Sequence, residues 1–278
     1  MTVAAEDTVL DIRDLGYAYG GSWAVKDCSF TVERGQVTGL IGPNGAGKST
    51  LIEMLSGTLT PRVGSIHFNG RDITGASPAR IARLGIARTF QTPRMLARLP
   101  VIENVVLAAP NQIGENPLRA LFWQRSFRVQ EAALRAEARG LLEWLGLQDH
   151  VEQLAGNLSG GQRRLMEIAR ALMAHPKLML LDEPTAGVFP ETGRLIATRV
   201  REIVGQGVTV LLIAHNMGFL SAVADDVVVM AEGKVLTRGP LDVVREHEDV
   251  IAAYLGSAST KKMMASTGAA PDPGGASG

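Results

Sequence analysis

The chain has 278 residues, enough for one large domain or two small ones, and 46% of them are hydrophobic, as in a well-packed globule. Its 28 basic and 28 acidic residues balance, which argues against nucleic acid as a partner. The single cysteine, Cys28, excludes an internal disulfide and suits a reducing compartment.

Met1 to Leu10 carries Glu6 and Asp7 without the charged-then-apolar order of a secretion signal, so none is expected. Val9 to Ile12 and Cys28 to Val32 alternate as strands do, with Gly20-Gly21 a turn between them. Ser65 to Phe68 reads as another strand before the Asn69-Gly70 turn, which predicts an antiparallel β layer near the front. Val37 to Ile41, Leu178 to Leu181 and Val208 to Ile213 are continuous apolar runs, the pattern of central parallel strands buried on both faces. Pro100 to about Gln153 is largely helical in pattern, notably Val129 to Leu145, like an inserted helical subdomain. Pro240 to Leu255 predicts one closing helix. From Ser257 the tail lacks packing residues and is expected to be disordered. The best apolar stretch, Val208 to Ala214, is far below the ~20 residues that span a bilayer, so work at a membrane needs spans from other subunits.

Gly42-Pro43-Asn44-Gly45-Ala46-Gly47-Lys48-Ser49 follows a predicted strand and opens a helix from Lys48 to Ser56, stopped at Gly57. Glycines let backbone N–H groups wrap phosphate oxygens without side-chain obstruction, and the helix N-terminus adds partial positive charge. Lys48 is expected to neutralise the β and γ phosphates of ATP and Ser49 to ligate Mg²⁺, with Thr50 beside them. The run Leu178 to Leu181 delivers two carboxylates to its C-terminal end. Asp182 is expected to hold Mg²⁺, directly or through water, and Glu183 to polarise the attacking water.

Leu158-Ser159-Gly160-Gly161-Gln162 lies downstream of the glycine loop and ahead of the Asp182-Glu183 pair. In that order the pentapeptide resembles the signature of ATP-binding cassette (ABC) ATPases, over about Val9 to Gly256. The resemblance implies a P-loop NTPase of α/β class. It has a RecA-like core, an antiparallel β subdomain and a helical subdomain of about 92–162, in a domain of 8–256, with 257–278 a disordered tail. It also implies that Ser159, Gly160, Gly161 and Gln162 serve the ATP held by a partner subunit. They open a helix on which Leu165, Ile168 and Leu172 share one face, while Arg163, Arg164, Glu167 and Arg170 lie off it. Gln91 matches the glutamine that reaches Mg²⁺ and the water, and His215, after another core strand, matches the histidine that contacts the γ-phosphate. His67, His150, His175 and His247 have no such placement and read as structural or surface groups. Tyr19 matches the aromatic that stacks on adenine; Tyr17 or Trp23 is the alternative stacker.

Within that class the chain is similar to the longer ATPase subunit of branched-chain amino acid importers. The residues that carry this are Ala87 to Gln91, Val101-Ile102-Glu103-Asn104-Val105 and Ala253-Tyr254-Leu255-Gly256. The implied partners are a second ATP-binding subunit, two membrane permease subunits and, indirectly, an extracytoplasmic substrate-binding protein, with the chain peripheral at the cytoplasmic face of the membrane. Urea or amide importers and lipopolysaccharide exporters are the related alternatives, and a soluble ABC ATPase the remoter one. The apolar residues of Pro93-Arg94-Met95-Leu96, with Leu99, form the candidate groove for a membrane subunit. Ala186-Gly187-Val188-Phe189-Pro190 departs from the importer pattern at Phe189, where a polar residue would face the partner. Two readings stay open: weakened hydrolysis at one of two sites, or packing of Phe189 on a matched, different partner.

Overall fold

The structure, a computed structural model, describes residues 7–89, 95–112 and 124–255. Gln91, Pro93 and Arg94 and the tail from Ser257 therefore lie outside the described residues. Strands β1 (Thr8–Tyr19) and β2 (Ser22–Glu33) form a hairpin. Its turn, Gly20-Gly21, has φ of 52° and 97°, the positive values that a two-residue hairpin turn requires. Strands β4 (Val63–Phe68) and β5 (Arg71–Asp72) complete an antiparallel sheet in the order β2-β1-β4-β5, with Leu10 opposite Phe68 and Ile12 opposite Ile66.

The second sheet has six strands in the order β10-β9-β3-β8-β7-β6. These are β3 (Val37–Ile41), β6 (Ile86–Arg88), β7 (Leu178–Asp182), β8 (Thr209–Ile213), β9 (Asp226–Ala231) and β10 (Lys234–Gly239). All neighbours pair in parallel except β9 and β10. Every residue of β3, β7 and β8 is buried, because both faces are covered. Leu40, Leu180, Leu211 and Val228 face the antiparallel sheet and helix α1 (Lys48–Leu55). Ile41, Leu181, Leu212 and Val229 face the helices instead.

On that helical side pack α3 (Val101–Val106), α4 (Gln124–Trp144), α5 (Gly160–Met173), α6 (Pro190–Gly205) and α7 (Met217–Val223). The segment before α5 closes on itself: Val101 N–H donates to the Gln153 carbonyl at 2.9 Å and Ile102 N–H to that of Val151 at 3.0 Å. Buried Asn104 organises the turn ahead of α3, accepting from Leu96 N–H at 2.8 Å and donating back to the Leu96 carbonyl at 3.1 Å. The Trp144 indole N–H donates to Glu202 at 2.8 Å, which fastens the end of α4 to α6.

Three expectations change. The predicted closing helix is two helices, α8 (Leu241–Val244) and α9 (Glu248–Leu255), because a new hydrogen-bonded turn starts at His247. Short β6, helix α2 (Pro78–Leu84) and the β9–β10 hairpin were not predicted; the hairpin's sign is Glu232-Gly233 between apolar strands. The polar face expected on α5 is buried in part. Arg164 and Glu167 form an ion pair at 3.1 Å, with side chains only 6% and 4% exposed. The helix is packed on nearly all sides, so charges one turn apart neutralise each other inside the protein.

Breaking a buried pair leaves a charge whose desolvation is no longer offset. Glu167→Leu alone is expected to cost about 3 kcal/mol in urea unfolding, and the double change Arg164→Met/Glu167→Leu clearly less. A double variant as damaged as the single would contradict the pairing. Cys28 is fully buried, and burial pushes its thiol up to about 12. Iodoacetamide at pH 8 is therefore expected to label Cys28 only once denaturant has opened the chain, as mass spectrometry would read.

Candidate active site

Strand β3 runs into Gly42, and the loop that follows enters α1 at Lys48. Neighbours on two sides set the loop's shape. A Cβ on Gly42 would lie 2.0 Å from the Met230 carbonyl oxygen, and one on Gly47 would lie 2.3 Å from that of Ala24. Both residues have positive φ, so only glycine fits without strain. The loop is thus wedged between the β1–β2 hairpin and the β9–β10 turn, where Gly233 N–H donates to the Ala46 carbonyl at 3.2 Å. Lys48 Nζ donates to the Gly42 and Pro43 carbonyls at 2.7 and 2.9 Å, bracing the loop from within. Lys48 is 7% exposed. Burial lowers its pKa, and Glu183 and Asp182 pull it back up. Asn44 to Thr50 line a cleft of about 360 Å³ with Ala24, Glu183, Ile213 and His215.

The far wall of that cleft comes from the ends of β7 and β8. Parallel register sets Asp182 beside Ile213 and Leu40 beside Ile213, so the three strand ends are level. Glu183 takes a left-handed backbone, φ 48°, and its N–H donates to the Ile213 carbonyl at 3.0 Å. Its carboxylate meets His215 Nε2 at 2.9 Å. Asp182 is buried, and burial raises its pKa while the Arg88 guanidinium, 3.4 Å away, lowers it. Arg88 also donates to the Ser56 hydroxyl at 3.0 Å, and Asp182 N–H donates to the Thr89 hydroxyl at 3.3 Å. Arg88 and Thr89 were not assigned a role from the sequence. Their position just before Gln91 was the available clue.

Ser159 caps α5: its hydroxyl accepts from Gln162 N–H at 3.3 Å, and its own N–H donates to the Gln162 side chain at 2.8 Å. Ser159 and Gly160 are exposed. Among the described residues that line the cleft, none comes from Ser159–Gln162. Gln162 also contacts His150, 2.8 Å away, a histidine that reads from the sequence as a structural or surface group. At the hairpin tip Tyr19 is 49% exposed and lies edge-on to Tyr17, with ring centroids 4.8 Å apart, and Trp23 is 44% exposed. Phe189, at the N-cap of α6, is 81% exposed.

A family model described as ABC transporter matches residues 25–186. The high-affinity branched-chain amino acid transport ATP-binding protein BraF of Pseudomonas aeruginosa is 38% identical over 251 residues, 90% of this chain and 98% of that protein. The probable branched-chain amino acid transport ATP-binding protein LivG of Methanocaldococcus jannaschii is 38% identical over 252 residues, 89% and 97% of the two chains. Among solved structures, a nucleotide-free ATP-binding cassette from an ABC transporter matches with a TM-score of 0.78 and 36% identity, over 89% of this chain and 98% of that one. The ADP conformation of an ABC-transporter cassette matches with a TM-score of 0.77 and 36% identity, over 90% and 99%. With one cleft walled by a phosphate loop and by the Glu183–His215 pair, and with this likeness along nine-tenths of its length, the chain belongs to the ABC transporter family as an ATP-binding cassette ATPase.

Proposed function

We propose that the chain is the ATP-hydrolysing subunit of a membrane importer for branched-chain or chemically related amino acids. The observation that supports the chemistry most is the direct Glu183–His215 contact at the mouth of the phosphate-loop cleft. Glu183 accepts a proton from the attacking water, and His215 orients that carboxylate and reaches the γ-phosphate. Backbone N–H groups from Asn44 to Ser49 and the start of α1 cradle the phosphates, and Lys48 turns its ammonium from the loop carbonyls to the β and γ oxygens.

Ser49 lines the cleft and Asp182 ends β7 next to the cleft residue Glu183, one hydroxyl and one carboxylate whose hard oxygens would suit Mg²⁺. Among the described residues no cluster of three or more His, Cys, Asp or Glu offers a rival metal site. Mg²⁺ held by Ser49 and Asp182 would supply charge neutralisation for the phosphates. Gln91 is assigned to the same metal and water, and Tyr19, open at the hairpin tip, to the adenine.

Ser159, Gly160 and Gly161 serve the nucleotide of a second cassette, with Gln162 holding them in shape. Their absence from this chain's own cleft supports that reading. Exposed Phe189 suits an apolar surface on that partner, which favours a partner different from this chain. No helix among the described residues is long and apolar enough to cross a membrane, so permease subunits supply the spans and hold the chain at the cytoplasmic face. The extracytoplasmic substrate-binding protein completes the assembly. Branched-chain substrates are proposed from the relatives' names over about nine-tenths of this chain. In the segment expected to meet a membrane subunit, Met95 packs on the core and Leu96 is 54% exposed, so Leu96 is the contact of choice.

Glu183→Gln is expected to keep ATP affinity while turnover falls about a thousandfold and a closed pair accumulates on size exclusion; undiminished turnover would refute Glu183 as the base. Lys48→Ala should lose nucleotide binding and hydrolysis together. Leu96→Asp should abolish uptake of labelled leucine, isoleucine and valine in the reconstituted transporter while ATP binding survives. Wild-type vesicles that take up none of the three would sink the substrate assignment.

A further inference from the structure

We propose that His150 is a positioning residue for the signature loop, acting on Ser159 through the side-chain amide of Gln162. The inference rests on the proposal that Ser159 serves a partner's ATP. Four contacts form one chain. Gln153 Oε1 lies 2.7 Å from His150 Nδ1, and His150 Nε2 lies 2.8 Å from Gln162 Nε2. Gln162 Oε1 then lies 2.8 Å from Ser159 N, and Gln162 N lies 3.3 Å from Ser159 Oγ.

A single proton arrangement satisfies the whole chain. Ser159 N–H is a fixed donor, so Gln162 Oε1 accepts and Gln162 Nε2 must donate. His150 Nε2 is then a bare acceptor, which places the ring proton on Nδ1, where it donates to Gln153. Turning the Gln162 amide over would face two acceptors at His150 and two donors at Ser159. With Nδ1–H held by Gln153, the imidazole accepts from Gln162 and reinforces the amide orientation that caps α5.

Burial does not do this work at the loop tip. Leu158 is buried, but Ser159 and Gly160 are exposed. A Cβ on Gly160 would find its nearest neighbour, the Gly187 carbonyl, 3.8 Å away. With little packing to hold it, the Ser159 hydroxyl and the amides behind it take their direction from hydrogen bonds. His150 itself is set in a short 3₁₀ turn, where its N–H donates to the Leu147 carbonyl at 3.0 Å and its carbonyl accepts from Gln153 N–H at 3.0 Å.

The test uses the full chain and its assembled transporter. His150→Leu keeps a side chain of roughly similar bulk but removes both ring nitrogens, the acceptor for Gln162 among them. It is expected to speed hydrogen exchange at the Ser159 amide about tenfold, with the amides of Gly45 to Ser49 unchanged. In the assembled transporter kcat should fall about fivefold while KM for ATP stays within about twofold. His150→Gln, whose carbonyl can accept from Gln162, should restore most of both. In a Gln162→Ala background, His150→Leu should add nothing further. The proposal is overturned if His150→Leu leaves Ser159 exchange and kcat unchanged, if His150→Gln is as impaired as His150→Leu, or if the loss persists in full without Gln162. Ser159→Arg runs in parallel: full turnover in that variant would refute the trans reading of Ser159, while the exchange data would still judge His150.

Discussion

The level pairing of β3, β7 and β8 is the constraint on which every other part of the site depends. Leu40, Ile213 and Asp182 lie side by side across three parallel strands, so the chain leaves the sheet at one edge, at one height, three times. Each departure carries a different chemistry: a phosphate loop, a pair of carboxylates, a histidine. A sheet buried on both faces cannot slip by a residue without turning its leucines from one core to the other, and the alternation of Leu40 and Ile41 between the two cores shows how tightly this holds. Ligand sites at the carboxyl ends of parallel strands follow from that geometry.

The electrostatics of the cleft follow from its enclosure. Burial lowers the pKa of Lys48 and raises that of Asp182, so each charged group is less well solvated here than in water. Each is then shared with local partners: Lys48 with two loop carbonyls, the Asp182 carboxylate with Arg88. Nucleotide phosphates can take the place of the loop carbonyls at Lys48 without dismantling the loop, which is propped from outside by Ala24, Met230 and Gly233. Preorganisation of this kind keeps reorganisation small at the moment of reaction.

Much of this was legible before any coordinates. The glycine loop and the acid pair are short motifs that could be read from the residues, His215 and the pentapeptide were singled out by resemblance to ABC ATPases, and the apolar runs marked the central strands. What escaped reading has a common physical cause. Periodicity places Arg164 and Glu167 off the apolar face, and only three-dimensional packing reveals that they neutralise each other inside the protein. His150 sits 12 residues from Gln162, and no spacing rule predicts that a 3₁₀ turn brings their side chains together. The β9–β10 hairpin had its sign in Glu232-Gly233, but the propping of the phosphate loop by its turn had none, because the Gly233 N–H that meets the Ala46 carbonyl is backbone and leaves no mark on residue type. The closing segment kept its apolar spacing through Val244, Val250 and Tyr254, which hid the break between two helices.

Glu183 sits in the left-handed region, a backbone conformation that costs a glutamate on the order of 1 kcal/mol. The strain turns the chain so that the Asp182 carboxylate stays with Arg88 while its neighbour swings round to His215. Selection for stability alone would put glycine there, since glycine adopts that conformation freely. A search for thermostable forms of this chain would therefore converge on a position where the tougher protein has lost its proposed base. Fitness and robustness pull in opposite directions at that one peptide unit.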